Sequence, residues 1–495
     1  MFKLRSRILA FLESKKEYPI IAAIATGLYP FLYYYNSNFT LVNSWEQFGF
    51  FILCYVFIPI CVFYLLYIFF ERIDKNKRYL KYLIPIFNLI TFSAFVVIST
   101  YGFKTKALVL AITVAILIGI VFSRHIKKII VFQYLLAFFV LLKLVPDIYK
   151  VTNYSSKWMA QPDDIENVVF KKKPNIYVIQ PDGYANFSKL KDVPYNYDNS
   201  NFESFLKDND FKFYSDFRSN YISTLSSNSS MFAMKHHYYN NSPSGKELYG
   251  TRKVIAGDNP VISILKKNGY KSFLLLERSY LLVNRPHLYY DYCNIDLSEV
   301  SYLARGFEIN KSLVGTMDTL VSNNTETDNF YFLRIMRPSH VSVNKSESRG
   351  IKGEREFYLS ELEKANQTLK EIINIINNKD ENSLIVIMAD HGGYIGLNYS
   401  MESRIKQTNE TTINSIYTSA LAIKWPNKVP DFDDKFKTPV NLFRILFSYL
   451  SDDTKYLRHL EGDKSYAIIN KNAPVGVYEY INENGEVVFS KHKAH

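Results

Sequence analysis

Apolar segments dominate the first 150 residues of the chain, and few soluble folds can bury so many of them. About five such segments occur, spanning roughly 18–35, 47–70, 79–99, 107–123 and 129–147. Each approaches the ~20 residues that an α-helix needs to cross the ~30 Å hydrocarbon core of a bilayer. The alternative is a soluble protein with buried helices, but tyrosine and tryptophan near the segment ends fit a membrane interface. The sequence therefore predicts a polytopic helical membrane domain with about five transmembrane helices.

The basic residues around these segments predict their orientation. They occur before the first segment and in the second and fourth loops, whereas the first loop has none and the third has only Lys104 and Lys106. Those that define the alternation are Lys3, Arg5, Arg7, Lys15, Lys16, then Arg72, Lys75, Lys77, Arg78, then Arg124, Lys127 and Lys128. Because Lys and Arg accumulate in cytoplasmic loops, we expect a cytoplasmic N-terminus. Five crossings then place the rest of the chain outside the plasma membrane.

Beyond the apolar third, the chain becomes polar and rich in Asn and Lys. This contrast keeps the mean hydropathy near zero although 48% of the residues are hydrophobic. The net charge of +12 does not indicate nucleic-acid binding, because much of the excess lies in short loops beside apolar segments. The polar part has a single cysteine, Cys293, so it has no disulfide framework of its own.

Prolines and a basic run mark the connection between the two parts. Pro162, Pro174 and the run Lys171–Lys173 are typical of a juxtamembrane linker. The predicted boundaries are 1–150 for the transmembrane domain, 151–174 for the linker and 175–495 for the extracytoplasmic domain.

Short apolar runs alternate with helical patterns through the outer part of the chain. The predicted strands are 175–180, 271–276, 330–336, 383–389 and 419–424, and the predicted helices are 260–268 and 355–377. Strands separated by helices favour an α/β domain with a mostly parallel sheet covered by helices on both faces.

One predicted strand runs directly into a charged pair. Residues 383–393 read Ser-Leu-Ile-Val-Ile-Met-Ala-Asp-His-Gly-Gly, so Asp390 and His391 follow a buried run. Ligands of open α/β sheets bind outside the carboxyl ends of the strands, and a carboxylate beside an imidazole suits zinc or manganese. Gly392 and Gly393 permit a tight turn and close approach to a ligand. Taken alone, the pattern also fits a strand followed by a polar turn.

Other side chains suited to chemistry follow predicted strands or precede a helix. Asp182 follows the first outer strand, although an Asp-Gly turn also explains it, and His340 lies past the strand 330–336. The hydroxyl-rich run 219–232 includes Thr224 and suits a loop that opens a helix, where Ser and Thr usually act as caps. Beside a metal, such a hydroxyl can become a nucleophile, because the ion and the helix dipole both favour the alkoxide.

Together these motifs resemble the alkaline phosphatase superfamily in its sulfatase-like branch. The matching stretches, in family order and approximate spacing, are Asp182-Gly-Tyr, Thr224-Leu-Ser-Ser, Pro338-Ser-His340 and Ala389-Asp-His-Gly-Gly. The helix 361–376 and the segment 438–444 also fit that branch. With about five crossings ahead of this domain, the chain looks like membrane-anchored phospho-head-group transferases, namely lipoteichoic acid synthases and lipid A phosphoethanolamine transferases.

The resemblance implies roles for individual residues. It assigns one divalent metal ion, zinc or manganese, to Asp182, Thr224, Asp390 and His391. Thr224 is also the implied nucleophile, and His340 is implied to hold or protonate the transferred group. Ser227, nearly one helical turn from Thr224, is expected to position that group. Arg334 and Arg337 are candidates for binding phosphate oxygens, although neither matches a family position.

The chain also departs from the family pattern. The anchored transferases usually have Glu where this chain has Asp182, whereas other branches have Asp. The Cys-x-Pro-x-Arg signature of sulfatases is absent, because Cys293 is followed by Asn-Ile-Asp, so sulfatase activity is not expected. The extra ligands of two-zinc members and the disulfides common in phosphoethanolamine transferases are not evident in the sequence.

The resemblance and the predicted topology point to one reaction. We expect metal-dependent transfer of a phosphoethanolamine or phosphoglycerol head group from a membrane phospholipid to a surface glycan or lipid, through a phosphothreonine intermediate. A lipid donor is favoured because nucleoside triphosphates are scarce outside the cytoplasm and a tethered domain meets lipid head groups at high effective concentration. The alternatives are an extracytoplasmic phosphodiesterase or phosphatase and an inactive glycan-assembly accessory protein. We expect a monomer with no nucleic-acid partner.

Overall fold

The computed structural model describes residues 2–74, 79–237, 249–324 and 328–492. Its two compact units meet in sequence between Tyr154 and Ser155. Of the residues used to predict orientation, Lys75, Lys77 and Arg78 lie outside the described ranges.

The first unit is helical, and a helix occurs at each of the five apolar segments in its described residues. Its helices are α1 Phe2–Glu13, α2 Pro19–Ser37, α3 Trp45–Ile52, α4 Ile58–Ile73, α5 Leu80–Tyr101, α6 Thr105–Val121 and α7 Ile126–Thr152, with the π-helical turn Leu53–Phe57 joining α3 to α4. Within the described ranges, three spans are long and apolar enough to cross a membrane: Trp45–Ile73, Lys81–Tyr101 and Ser123–Thr152. α6 is apolar but shorter. The helical membrane domain is confirmed, and the number of crossings stays a prediction.

Close packing and buried hydrogen bonds hold these helices together. A Cβ on Gly27 would meet the carbonyl oxygen of Tyr55 at 1.5 Å, so only glycine allows this approach. Asn88 and Gln133 exchange buried side-chain hydrogen bonds of 3.1 and 2.9 Å. Helices in lipid associate through such contacts, because hydrocarbon offers no hydrophobic driving force between them.

The second unit is built on a sheet of seven strands in the described residues. The strands are β1 Ile176–Pro181, β2 Phe211–Phe213, β3 Lys271–Leu276, β4 Tyr292–Cys293, β5 Asn329–Ile335, β6 Leu384–Met388 and β7 Leu421–Lys424. Their order is β2-β7-β6-β1-β5-β3-β4. Pairing is parallel from β6 to β4, and β7 is antiparallel to both of its neighbours. The predicted, mostly parallel sheet is confirmed, and all five predicted strands occur close to their expected positions.

Helices cover both faces of this sheet, as predicted. Within the described residues they are α8 Ser200–Asp208, α9 Thr224–Ala233, α10 Thr251–Ala256, α11 Pro260–Lys267, α12 Leu313–Asn323, α13 Gly350–Lys379, α14 Glu410–Tyr417 and α15 Leu442–Ser451. On one face, α8, α12 and α13 share a buried cluster with Tyr331 of β5. On the other face, the ring centroid of Phe232 in α9 lies 4.9 Å from that of Phe332, and the ring centroid of Phe443 in α15 lies 5.9 Å from that of Phe330.

A small second sheet was not predicted from the sequence. It consists of β8 Ser465–Ile469, β9 Gly476–Ile481 and β10 Val487–Lys491, paired antiparallel. Strands β2 and β4 were also missed, because three and two residues are too few to show an alternation.

The segment after the last membrane helix packs against the second unit. Arg444 donates to Asp163 at 2.7 Å and to Gln161 at 2.6 Å. The backbone amides of Lys171 and Lys172 both donate to the carbonyl oxygen of Leu450. The second unit, named the outer unit for its predicted location, therefore includes these residues and begins at Ser155.

Candidate active site

Three neighbouring parallel strands, β6, β1 and β5, end side by side at one edge of the sheet. Asp182 directly follows β1, Asp390 and His391 follow β6, and Arg334 is the penultimate residue of β5. Helix α9 begins at Thr224, which contacts this group of residues. Because parallel strands present their carboxyl ends at the same edge, the topology brings residues from distant parts of the sequence together.

The hydroxyl of Thr224 lies among the predicted metal ligands. Its Oγ1 is 3.2 Å from Asp182 Oδ1 and 3.5 Å from His391 Nε2. His391 Nε2 is in turn 3.9 Å from Asp182 Oδ1 and 3.7 Å from Asp390 Oδ2. A tetrahedral ion with ligand distances of ~2.1 Å holds its ligands ~3.4 Å apart. The observed separations are close to that value, and the ligand atoms of Asp182, Asp390 and His391 all lie within 4.8 Å of one another, so this group has room for one ion.

The hydrogen bonds around these ligands leave lone pairs available to a metal. Asp390 Oδ1 accepts a hydrogen bond from the Gly183 amide at 3.1 Å, whereas its buried Oδ2 has no hydrogen-bond partner among the described residues. His391 Nδ1 lies 2.9 Å from the carbonyl oxygen of Gly392. A carbonyl only accepts, so Nδ1 carries the proton and Nε2 keeps its lone pair. Since an unsatisfied buried carboxylate oxygen is costly, this donor set fits a divalent cation.

Asp182 is held in its ionised form. Burial alone raises the pKa of this carboxyl, but neighbouring positive charge, chiefly that of Arg334, brings the pKa below its ordinary value. The guanidinium donates to Asp182 Oδ1 at 2.9 Å. Metal ligands of this type bind as carboxylates, so Asp182 is already in the form that a metal ligand needs, although the guanidinium competes with a cation for its Oδ1.

Two glycines that follow the strand ends are required because another backbone segment passes close to each of them. A Cβ on Gly183, whose φ is +67°, would lie 2.3 Å from the carbonyl oxygen of Ser339. A Cβ on Gly392 would lie 2.2 Å from the carbonyl oxygen of Ser415. Gly392 was predicted to permit close approach to a ligand, but what approaches it is the protein's own backbone.

His340 lies beside the ligand cluster, and its ring centroid is 5.5 Å from that of His391. Its Nδ1 is 2.6 Å from the carbonyl oxygen of Val341, so Nδ1 carries a proton and Nε2 keeps its lone pair. Burial is the main cause that lowers the pKa of His340. The neutral ring is therefore favoured, and its Nε2 is able to accept a proton.

The structure does not bring two of the predicted substrate-binding residues to this cluster. Ser227 Oγ lies 2.9 Å from Ser219 Oγ and 3.4 Å from the carbonyl oxygen of Tyr221. Arg337 donates to Glu361 at 2.8 Å. Neither is among the described residues that line the cavity over the site. The three-residue spacing places Thr224 and Ser227 on one side of α9. The Ser227 hydroxyl, however, lies one helical turn further along α9 and forms its hydrogen bond with Ser219.

A cavity of about 430 Å³ opens over the cluster, lined by Asp182, Thr224, Arg334, His340 and His391 among others. Its walls are largely aromatic and aliphatic, and they include Tyr280, Phe307, Met336, Val343, Tyr394, Met401, Tyr466 and Ile468. Phe307, Val343 and Met401 are exposed. Phe307, Met336, Val343 and Tyr394 lie in loops, and Tyr280 and Met401 lie in short 3-10 turns, where the sequence has no periodic signal from which they could be predicted.

No family model and no curated protein sequence matches the chain. It is similar to solved structures of phosphoethanolamine transferases and of a lipoteichoic acid synthase. The C-terminal periplasmic domain of EcEptC from Escherichia coli, in complex with zinc, is 11% identical, with a TM-score of 0.44 over 66% of this chain and 97% of that one. The lipoteichoic acid synthase LtaP from Listeria monocytogenes is 16% identical, with a TM-score of 0.41 over 66% and 91%. The integral membrane lipooligosaccharide phosphoethanolamine transferase A from Neisseria meningitidis is 12% identical, with a TM-score of 0.37 over 87% and 95%.

Proposed function

We propose that the chain is a membrane-anchored transferase that moves a phosphoethanolamine or phosphoglycerol head group from a membrane phospholipid to a surface glycan or lipid. The observation that carries the proposal is the position of the Thr224 hydroxyl. It lies within 3.5 Å of both Asp182 and His391, at the first residue of α9. Backbone amides at a helix N-terminus favour negative charge, so the helix supports attack by this oxygen.

Asp182, Thr224, Asp390 and His391 would hold one divalent metal ion, zinc or manganese. When bound, such an ion lowers the pKa of a coordinated hydroxyl and stabilises charge on phosphoryl oxygens. Asp182 and Asp390 would supply the two negative charges that neutralise it, and Asp390 Oδ2, which has no hydrogen-bond partner among the described residues, would be available to it.

The first step forms a covalent adduct with the chain. Thr224 Oγ1 bonds to the donor phosphorus, and the bond between phosphorus and the diacylglycerol oxygen breaks. The hydroxyl proton passes to His340 Nε2 and then to the departing diacylglycerol oxygen. Diacylglycerol leaves, and the head group stays on Thr224 as a phosphodiester.

The second step passes the head group to the acceptor. An acceptor hydroxyl gives its proton to His340 Nε2 and bonds to phosphorus, and the bond from phosphorus to Thr224 breaks. The proton then returns to the Thr224 oxygen, which restores the resting site. Thr224 divides one difficult exchange into two easier ones.

The cavity wall supports a lipid donor over a small soluble phosphodiester. Exposed apolar side chains at Phe307, Val343 and Met401 face the same cavity as the proposed nucleophile. Apolar walls around a few convergent polar groups are typical of sites for partly apolar ligands. Attachment to membrane helices raises the effective concentration of such a donor further.

Head-group-labelled phosphatidylethanolamine and phosphatidylglycerol, offered to the full-length protein in detergent, test the proposal. We expect diacylglycerol release, a labelled phosphothreonine peptide containing Thr224, and label on a lipid-linked glycan acceptor when one is supplied. Metal-stripped protein should form none of these products until zinc or manganese is restored. Release of labelled head group to water at one rate with and without acceptor would identify a hydrolase instead, and absence of any adduct in the metal-loaded protein would contradict the mechanism.

A further inference from the structure

Arg334 lies inside the proposed site although it matches no position of the family motif. Its Nη2 donates to Asp182 Oδ1 at 2.9 Å and to Thr224 Oγ1 at 3.2 Å. The side chain is 3% exposed, and its buried Nε has no hydrogen-bond partner in the described part of the chain. Because a guanidinium stays protonated in proteins, a permanent positive charge is fixed against both the nucleophile and a metal ligand.

Rigid elements hold this guanidinium in place. Arg334 is in β5, where it pairs with Gln180 of β1 on one side and Leu276 of β3 on the other. The ring of Tyr280 lies 5.4 Å from the guanidinium carbon, which is within the range of a cation–π contact. A charged group placed on a central strand reproduces its geometry better than one on a loop.

The charge balance of the site gives Arg334 a function beyond pairing with Asp182. The carboxylates of Asp182 and Asp390 cancel the charge of one divalent ion, so the charge of Arg334 is left over. The oxygen anion that forms on Thr224 during the reaction carries one negative charge, which this excess matches. A second divalent ion would instead be repelled by the guanidinium at such short range.

We propose that Arg334 is a catalytic residue that acts as a fixed second cation. It orients the Thr224 hydroxyl, stabilises the oxygen anion that forms when the proton leaves for His340, and restricts the site to one metal ion. This inference rests on the proposed function. It differs from the expectation that Arg334 binds substrate phosphate, because both Nη2 hydrogen bonds go to atoms of the protein. Its loss should therefore lower kcat and leave KM largely unchanged.

The test compares the full-length wild-type protein with Arg334→Met, Arg334→Lys and Arg334→Ala in detergent. For Arg334→Met we expect a fall in kcat of about 100-fold or more with KM within about threefold, since loss of one preorganised donor costs this much in other sites. Zinc should bind metal-stripped Arg334→Met about tenfold more tightly than metal-stripped wild-type protein, because the variant lacks the positive charge beside the site. Arg334→Lys should recover only part of the rate, and guanidinium ion added to Arg334→Ala should restore activity.

Arg349→Met is the matched control. This arginine is 47% exposed and pairs with Glu354 at 3.6 Å, and it does not line the cavity, so the kcat and zinc affinity of Arg349→Met should equal those of the wild type. Circular dichroism checks that each variant is folded, and Arg334→Ala, which also removes the charge, serves in place of Arg334→Met if the latter does not fold.

Three results would overturn the inference: an unchanged kcat in Arg334→Met, a raised KM alone, or two zinc ions per wild-type chain. A different result would contradict the proposed function, namely a wild-type protein that forms no phosphothreonine. Zinc titration needs no turnover, so it tests the role of Arg334 whether or not the proposed function holds. Unchanged zinc affinity in Arg334→Met would also overturn the inference.

Discussion

Thr224 differs from the hydroxyls around it in what its oxygen contacts. Ser223 caps α9 and accepts a hydrogen bond from the Ser226 amide at 3.4 Å, and the hydroxyls of Ser223 and Ser226 contact each other at 3.1 Å. Ser227 contacts Ser219. Of the four hydroxyls between Ser223 and Ser227, only that of Thr224 has a described hydrogen bond to a predicted metal ligand. The residue types alone could not make this distinction, because any of the four suits a helix start.

Replacing Thr224 by Ala should abolish turnover and the covalent adduct, because the attacking oxygen is removed. Thr224→Ser keeps a hydroxyl at the same place and should retain measurable transfer. Ser227→Ala should cost less than about tenfold in rate, since its hydroxyl contributes only a buried hydrogen bond to Ser219. Rates of diacylglycerol release and phosphopeptide mapping measure both effects. A phosphopeptide at Ser223 or Ser226 in a Thr224→Ala protein that still turns over would refute the assignment.

Asp390→Asn and His391→Ala should each weaken zinc binding by about 100-fold or more while the outer unit stays folded. Both residues follow the end of β6 and belong to a group that could hold a metal ion, so their loss would remove a proposed ligand. Asp380→Asn is the control, because Asp380 lies before the other end of β6 and accepts hydrogen bonds from Asn175 and Tyr177. Metal content by mass spectrometry and circular dichroism give the result. Full zinc occupancy in both site variants would eliminate this site.

At the level of elements, the sequence predicts the strands that carry the site better than the way they are arranged. β6 is continuously apolar and β1 is apolar except for Gln180, so both their strand character and the polar residues at their ends were predictable. That β1 lies between β5 and β6 was not, because strand order depends on long-range packing. A signal was present in β5, since an arginine inside a buried strand must find a negative partner, and Arg334 finds Asp182. What the sequence could not provide was which carboxylate that would be.

The turn after β1 offers a test of how closely the strand ends must approach one another. Gly183→Ala places a Cβ against the carbonyl oxygen of Ser339 at a positive φ, and we expect it to destabilise the outer unit by about 1–3 kcal/mol. It should also weaken metal binding, because the Gly183 amide donates to Asp390. Thermal unfolding and zinc titration measure the two effects.

Gly269→Ala separates backbone strain from this close contact. Gly269 has a φ of +86°, but a Cβ there would meet nothing within 4 Å. It should therefore show the smaller loss of stability, and zinc affinity should be unchanged. Equal losses in the two variants would mean that the contact with Ser339 has no special cost.

For the whole molecule, the side of the membrane on which the outer unit lies depends on whether α2 and α6 both cross it. α2 contains Pro30 and a cluster of tyrosines, and α6 has 17 residues, so neither meets the length and hydropathy of the three longer spans. At ~1.5 Å per residue, a helix of 17 residues extends ~25 Å, slightly less than the hydrocarbon core. Because α6 carries a charge only at Lys106, local thinning of the bilayer suffices for it to cross.

A topology map decides whether α6 crosses. With five crossings and a cytoplasmic N-terminus, a reporter active only outside the cytoplasm should work when fused after Gly102 or Lys150 and fail when fused after Arg78 or Arg124. The reason is the alternation of basic loops, since Lys and Arg are retained on the cytoplasmic side. If α6 did not cross, fusions after Gly102 and Arg124 would report the same side, and Lys150 would lie in the cytoplasm. The outer unit would then have no access to an extracytoplasmic acceptor, and the proposed transfer to surface glycans would fail together with the topology.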